Sequence, residues 1–233
     1  MDELYFQMQL FEGIPWATFK NFPAFLFFST NYFGQTREQA FISYLEKVFK
    51  SQIAYLNQIH GTEIKLALRG GNLGDGDGLI LTDNILGAVF TADCLPIALS
   101  DSTGIHTAIL HAGWKGSLAG IALKAVNQLK KNGAKELIAV LGPAAQACCY
   151  EVKEDLMAQF MTSWPQIAPM VFRKNNKHLY LDLPLFNQLL LEDAGVRVYS
   201  SRICTICSRD YHSYRQNKTD LRQITLVGSR RLS

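Results

Sequence analysis

Three short runs of this 233-residue chain carry residue types that bind soft metal ions. Gln58-Ile59-His60-Gly61, Thr91-Ala92-Asp93-Cys94 and His111-Ala112-Gly113-Trp114-Lys115-Gly116 place a His, a Cys and a second His in apolar, turn-bounded contexts. A thiolate and two imidazoles are borderline-soft ligands that suit zinc, with copper the next candidate; magnesium or calcium would call for clustered carboxylates and carbonyls. Three protein ligands with an open fourth position is the arrangement of catalytic zinc. A closed structural site would need a fourth ligand, and no Cys-x-x-Cys or His-x-x-x-His pair lies near these runs. The residues therefore point to a metal centre of His60, Cys94 and His111. The plainer alternative, that each is separately a buried polar side chain at a strand end, stays open on pattern alone.

Such ligands need rigid elements to hold them. Leu86–Thr91, Leu95–Ser100 and Ile105–Leu110 read as buried strands, with Asp101-Ser102-Thr103-Gly104 as a turn, so Cys94 and His111 fall at strand ends. Ser117 reads as the N-cap of an amphipathic helix from Leu118 to about Lys131, burying Ile121, Val126 and Leu129. That places Lys115 beside a helix N-terminus, a setting favourable to a phosphate or carboxylate; the ordinary alternative is a solvated surface lysine. Residues 38–49 carry apolar side chains at helical spacing, behind short N-terminal strands. Gly70–Gly78 is the densest cluster of turn formers and reads as a plain loop, without the Lys-Ser/Thr ending of a phosphate loop. Further on, Ile138–Leu141, Leu179–Leu183, Val196–Ser200 and Ile224–Val227 read as strands. Helices are expected from about Val152 to Met161 and over Leu185–Leu191. Strands and helices interleave without repeat or linker, which predicts one intertwined α+β domain over residues 1–233.

Composition narrows the class. With 48% hydrophobic and 18% charged residues the chain has ample core, and a net charge of +3 without a basic run argues for a small-molecule substrate over nucleic acid. No apolar run is long enough to span a bilayer and the start lacks the pattern of a secretory signal, so a cytoplasmic, non-membrane protein is expected. Five cysteines, with Cys148 and Cys149 adjacent, fit a reduced compartment better than a disulfide framework. Cys204-x-x-Cys207 has no partner pair and reads as packing. Glu3-Leu4-Tyr5-Phe6-Gln7 partly resembles a protease-recognition linker and carries no functional reading. Tyr211–Arg222 is the most cationic and aromatic stretch of the tail. It is suited to clamping an anion or stacking on a base, against the bland reading of an exposed basic loop.

In this order, with Asp77-Gly78, Thr91–Pro96, Gly142-Pro143, Cys149–Val152, Leu181-Asp182-Leu183, Cys204-Thr205 and Ser213-Tyr214-Arg215, the runs resemble the laccase-domain (YfiH-like) purine nucleoside phosphorylases, also described as multicopper polyphenol oxidases or peptidoglycan editing factors. The likeness spans roughly Leu56–Val227. It implies a layered α/β sandwich with mixed sheets, similar to the catalytic domain of a deamidating toxin. It also implies His60, Cys94 and His111 as zinc ligands, purine nucleosides and phosphate as substrates, adenosine deamination, and a phenol-oxidising activity with copper. Two positions depart from the family's pattern: Phe25–Thr30 lacks its Arg/Gly-rich turn, and Leu221 stands where a Gly usually precedes Arg222.

Deamination by such a site needs a zinc-bound water of lowered pKa and a carboxylate to shuttle the proton, for which Asp93 and Glu151 are the candidates. Phosphorolysis needs an anion site, for which Lys115, Arg215 and Arg222 are the candidates. Two other classes compete. Cys94 with His111 as its base would make a metal-free amidase or hydrolase; a zinc-dependent accessory factor would bind without turnover. Polyphenol oxidation fits less well, because His106, His178 and His212 show no His-x-His pairing to hold a copper cluster.

Overall fold

A computed structural model of the chain describes residues 4–34 and 39–229. In chain order its elements are β1 (Tyr5–Phe11), β2 (Ile14–Lys20), β3 (Phe25–Ser29), a 3-10 turn (Asn31–Phe33), α1 (Gln39–Phe49), β4 (Gln52–Asn57), β5 (Ile64–Ala67), β6 (Gly71–Asp75), β7 (Gly78–Leu81), β8 (Ile85–Thr91), β9 (Leu95–Ser100), β10 (Thr107–Ala112), α2 (Trp114–Leu118), α3 (Ile121–Lys131), β11 (Ile138–Leu141), β12 (Glu151–Val152), α4 (Glu154–Ser163), α5 (Ala168–Val171), β13 (Phe172–Asn175), β14 (His178–Leu181), α6 (Leu183–Asp193), β15 (Arg197–Ser200), α7 (Tyr214–Asn217) and β16 (Gln223–Gly228).

The strands form a seven-stranded sheet in the order β1-β2-β3-β16-β8-β4-β6, a six-stranded sheet in the order β15-β11-β9-β10-β7-β5, and a small sheet β12-β14-β13. Both large sheets are mixed: β4 pairs parallel with β6 and β8, and β5 with β7, while β9, β10 and β11 run antiparallel to their neighbours within that group. The alternation of side chains along each strand builds the layers. In β8, Leu86, Ala88 and Phe90 face a cluster with Ile42 and Leu45 of α1, while Ile85 and Val89 face the second sheet. In β9–β11, Leu95, Ile97, Leu99, Ala108, Leu110, Ala139 and Leu141 meet Ile121, Val126 and Leu129 of α3; Ala98, Ile109 and Val140 face back toward the first sheet. The order is therefore α1, sheet, sheet, α3, which is why β8–β11 read as unbroken apolar runs: they are covered on both faces. A fourth cluster around Phe160, Leu181 and Phe186 joins α4, α5 and α6 to the small sheet.

Two expectations are corrected. The glycine-rich segment 70–78 is not a plain loop: Gly71–Asp75 is the edge strand β6, hydrogen-bonded to β4, with Gly71 and Gly74 supplying positive φ. The single helix expected from Leu118 is two. Trp114–Leu118 starts behind Gly113, and Gly120, in the left-handed region at φ 75°, breaks the chain before Ile121–Lys131. Ser117 is no cap. It is buried inside α2, where its Oγ accepts from Asn187 Nδ2 at 2.9 Å. Tyr5–Gln7 belong to β1, and Phe25–Ser29, without the family's Arg/Gly turn, is the interior strand β3. Among the described residues no helix is long and apolar enough to cross a membrane.

Candidate metal centre and substrate pocket

The three ligands come from both large sheets. His60 lies just beyond β4, Cys94 in the β8–β9 turn, and His111 near the end of β10. His60 and the Asp93 preceding Cys94 both occupy the left-handed region, at φ 60° and 87°. Non-glycine residues are held there only when their surroundings over-determine them. The His60, Cys94 and His111 ligand atoms all lie within 4.8 Å of one another. His60 Nε2 is 3.8 Å from Cys94 Sγ, and the two imidazole rings are 4.8 Å apart, edge to face.

Asp77, fully buried at the start of β7, organises this set. Its Oδ1 is 2.7 Å from His111 Nδ1, which leaves His111 Nε2 as the nitrogen turned to the ligand cluster. The same carboxylate accepts from the backbone N–H groups of Ile59, His60 and Gly61, and the Asp77 carbonyl accepts from His111 N–H at 2.7 Å. One carboxylate thus fixes the orientation of one imidazole and the loop carrying the other, the outer-shell role that metal-bound histidines require. Gly113 closes the floor: a Cβ there would stand 3.0 Å from His60 Cδ2 and 3.3 Å from Cys94 Sγ. At Gly116 a Cβ would stand 2.8 Å from the Gly61 carbonyl. Backbone must approach closely at both positions, which explains the glycines of His111–Gly116.

The electrostatics agree with the geometry. Burial opposes ionisation of Cys94, but His111 and His60 at the sulfur outweigh it and pull the thiol down from 9.0 to about 6. Burial likewise disfavours the charged form of His111, yet the Asp77 and Cys94 contacts push it up to about 9. Asp77 is buried, which alone would raise it, but the hydrogen bonds from His111, Gly61 and His60 hold it below the usual carboxylate value. A nearly deprotonated thiol is the form that binds a metal.

A pocket of about 400 Å³ opens onto the ligands, lined also by Gln58, Phe90, Thr91, Ala92, Tyr214 and Arg222. Gln58 is locked in place, donating to the Phe90 carbonyl at 2.7 Å and accepting from Phe90 N–H at 2.8 Å. Despite Leu221, Arg222 reaches the pocket, its guanidinium 5.9 Å from the Tyr214 ring centre. A second hollow of about 410 Å³ is lined by Trp114, Tyr150, Glu151 and Arg215 among others. Arg215 stacks on Tyr150 at 4.9 Å and donates to the Glu151 carbonyl at 2.6 Å. Lys115 is exposed and lies over Trp114, its ammonium 5.6 Å from the ring centre. The Glu151 carboxylate pairs with His178 Nδ1 at 2.8 Å. Asp93 is committed elsewhere: Oδ1 accepts from Thr205 Oγ1 at 2.8 Å and Oδ2 from Arg215 N–H at 2.7 Å. A separate hollow of about 730 Å³, lined by α1 and residues 69–70 among others, shares no residue with this site.

Asp77, Gly113 and Gln58 are the contributors that sequence reasoning did not assign a role. Their signal was present, as an Asp between two glycines at the start of an apolar strand and a Gln two residues before His60, but their partners are distant in sequence. Cys204-x-x-Cys207, read as packing without a partner pair, is also corrected: Cys148 and Cys149 stand against it, with the sulfurs of all four within 4.8 Å of one another.

Fold and site together define a layered, mixed α/β protein with a His-Cys-His set placed to hold a metal ion. The chain belongs to the family described as multi-copper polyphenol oxidoreductase laccase, whose model matches residues 36–230. It is 33% identical over 171 residues to a purine nucleoside phosphorylase of Borreliella burgdorferi, covering 71% of this chain and 74% of that one. It is 36% identical over 168 residues to a purine nucleoside phosphorylase of Deinococcus radiodurans, covering 70% and 64%. Among solved structures, Neisseria meningitidis protein NMB0706 superimposes with a TM-score of 0.79 at 28% identity, covering 90% of this chain and 97% of the other. YlmD from Geobacillus stearothermophilus shares the fold, with a TM-score of 0.84 over 96% and 98% of the two chains at 24% identity.

Proposed function

We propose that the protein is a zinc-dependent purine nucleoside phosphorylase acting on adenosine, inosine and methylthioadenosine, with adenosine deaminase activity at the same site. The observation that carries this reading is the convergence of His60, Cys94 and His111 on one point at the floor of an open pocket, in a chain whose relatives are named purine nucleoside phosphorylase. Zinc held by these residues, with a fourth position open, would supply a Lewis acid and an acidified water. Asp77 keeps His111 in the tautomer that presents Nε2. Tyr214, 47% exposed at the pocket, offers a ring to the purine face. In phosphorolysis a phosphate oxygen forms a bond to ribose C1′ while the bond from C1′ to the base nitrogen breaks, its electrons leaving with the purine. Arg222 in the pocket, Arg215 in the adjoining hollow and Lys115 beside Trp114 are the cations assigned to the phosphate. Of the two carboxylates, Glu151 has a partner for proton exchange in His178, so it is assigned the proton transfer of deamination. Asp93, with both oxygens accepting, positions Arg215. The chain is assigned to the cytoplasm on its sequence.

The test is chromatography of adenosine incubated with the zinc-loaded protein, with and without phosphate. Adenine release that needs phosphate reads phosphorolysis, and inosine formed without phosphate reads deamination. Cys94→Ser and His111→Ala should each lower both by on the order of 10²-fold or more, as expected for loss of several kcal/mol of charge stabilisation. A zinc-loaded protein inert on nucleosides would sink the proposal. A second reading rests on the depressed Cys94 thiol beside His111: a metal-free thiolate nucleophile acting as an amidase or hydrolase. That reading predicts activity retained, or raised, after metal removal.

A further inference from the structure

Four of the chain's five cysteines lie outside the centre just described, and all four meet at one place. Cys148 and Cys149 come from the loop after β11, Cys204 and Cys207 from the loop after β15. The loops are zipped together: Ala144 N–H donates to the Ile203 carbonyl at 3.1 Å, Thr205 N–H to the Ala144 carbonyl at 3.1 Å, and Gln146 Nε2 to the Ile203 carbonyl at 3.3 Å. Burial works against ionisation of Cys204, but the backbone N–H groups of Gln146, Cys207 and Ile206 bear on its sulfur and hold the thiol below its usual value. Donors two and three residues beyond the first cysteine of a Cys-x-x-Cys turn are what a thiolate bound to a cation needs to offset its charge. Cys148 Sγ and Cys207 Sγ are 4.0 Å apart. That is far from the ~2.05 Å of a disulfide, and close to the ~3.8 Å edge of a tetrahedron built on Zn–S bonds of ~2.3 Å. A multi-iron cluster inserts several metal and sulfide atoms between its cysteines and would hold them further apart.

We propose that Cys148, Cys149, Cys204 and Cys207 form a second, closed zinc site that ties the loop after β11 to the loop after β15. Four thiolates leave no open position, so this site is structural. Its position gives it a task. Tyr150 follows Cys149 and carries the stacked Arg215, while Thr205 follows Cys204 and donates to Asp93, the neighbour of Cys94. The second ion thus holds the walls of the adjoining hollow without touching it. This inference does not depend on the proposed reaction.

The test is zinc content and zinc X-ray absorption of protein purified with thiol reductant and without chelator. Wild-type protein should hold about two zinc ions per chain, and the variant His60→Ala/Cys94→Ala/His111→Ala about one, with a sulfur-only shell at ~2.3 Å. Cys204→Ser/Cys207→Ser should also keep about one, in a mixed nitrogen and sulfur shell. The proposal is overturned if the triple variant binds no zinc or shows nitrogen ligands, or if copper or iron fills the cysteine site. A Cys148–Cys207 disulfide found by mass spectrometry under these conditions would also overturn it. Should neither variant fold, the wild type decides by its shell: zinc with a sulfur-only component at ~2.3 Å supports the second site, and zinc seen only in a mixed nitrogen and sulfur shell at one ion per chain excludes it.

Discussion

Asp77 shows how much of the centre rests on a residue that binds no metal. Its carboxylate accepts from His111 Nδ1 and from three consecutive backbone N–H groups of the His60 loop, so truncation loosens two of the three ligands at once. Asp77→Ala should weaken zinc binding by about 10–100-fold, the usual cost of losing such a partner. Competition with a chromophoric chelator measures this, and unchanged affinity would show that His111 is oriented by packing alone. The ligands themselves make a pH prediction for metal-free protein. Cys94 falls from 9.0 to about 6 and His111 rises from 6.5 to about 9, so thiolate and imidazolium coexist between about pH 6 and 9. The thiol's contribution to stability is present above 9.0 and is lost as pH falls to about 6. The imidazole's is present below 6.5 and is lost as pH rises through about 9. Alkylation of Cys94, followed by site-resolved mass spectrometry, should therefore be half-maximal near pH 6 in metal-free protein and suppressed by zinc. A midpoint near 9 would mean that the two imidazoles do not reach the sulfur in solution.

At the scale of elements, the β9–β10 hairpin is held by a buried carboxylate at its turn. Asp101 accepts from Thr103 Oγ1, Ile105 N–H and His106 N–H, and pairs with His106 Nδ1 at 2.7 Å. Burial alone would raise it, but His106 and Thr103 hold it below its usual value, so its contribution is present above 3.8 and lost as pH falls further. Asp101→Ala removes the acceptor shared by Ile105 N–H, His106 N–H and Thr103 Oγ1 and should cost about 1–3 kcal/mol, read as a lower urea midpoint. An unchanged midpoint would show that water replaces the carboxylate fully. This hairpin was legible because β9 and β10 are apolar on both faces and the Asp-Ser-Thr-Gly turn between them is unmistakable. β6 was not, because its pairing to β4 comes from backbone hydrogen bonds that glycine-rich sequence does not advertise. The break at Gly120 was missed because the apolar spacing of α3 continues into α2, while the φ of one glycine decides the boundary. His60, Cys94 and His111 were readable from their local contexts. Asp77 and the four-cysteine cluster were not, since what defines them is contact across 16 to 59 residues of chain.

For the whole molecule, the His-Cys-His set joins the two large sheets, while the four-cysteine cluster joins the loops after the neighbouring strands β11 and β15 of one sheet. His60 follows a strand of the seven-stranded sheet, His111 belongs to the six-stranded one, and Cys94 sits in the turn that passes from one to the other. A ligand bound only by the folded state stabilises it by about 4 kcal/mol at a thousandfold excess over its dissociation constant, and a chain of this size shifts by roughly 2–4 °C per kcal/mol. Chelation should therefore lower the melting temperature by on the order of 10 °C for each centre emptied. Calorimetry with and without chelator separates the two contributions. The wild type should show the larger fall, His111→Ala a smaller one from the cysteine site, and Cys204→Ser/Cys207→Ser a smaller one from the His-Cys-His site. The wild-type fall should approach the sum of the two, reduced by whatever coupling runs through the Thr205–Asp93 hydrogen bond that joins the neighbours of Cys204 and Cys94. A melting temperature indifferent to chelator would show that the sheets hold together without either ion.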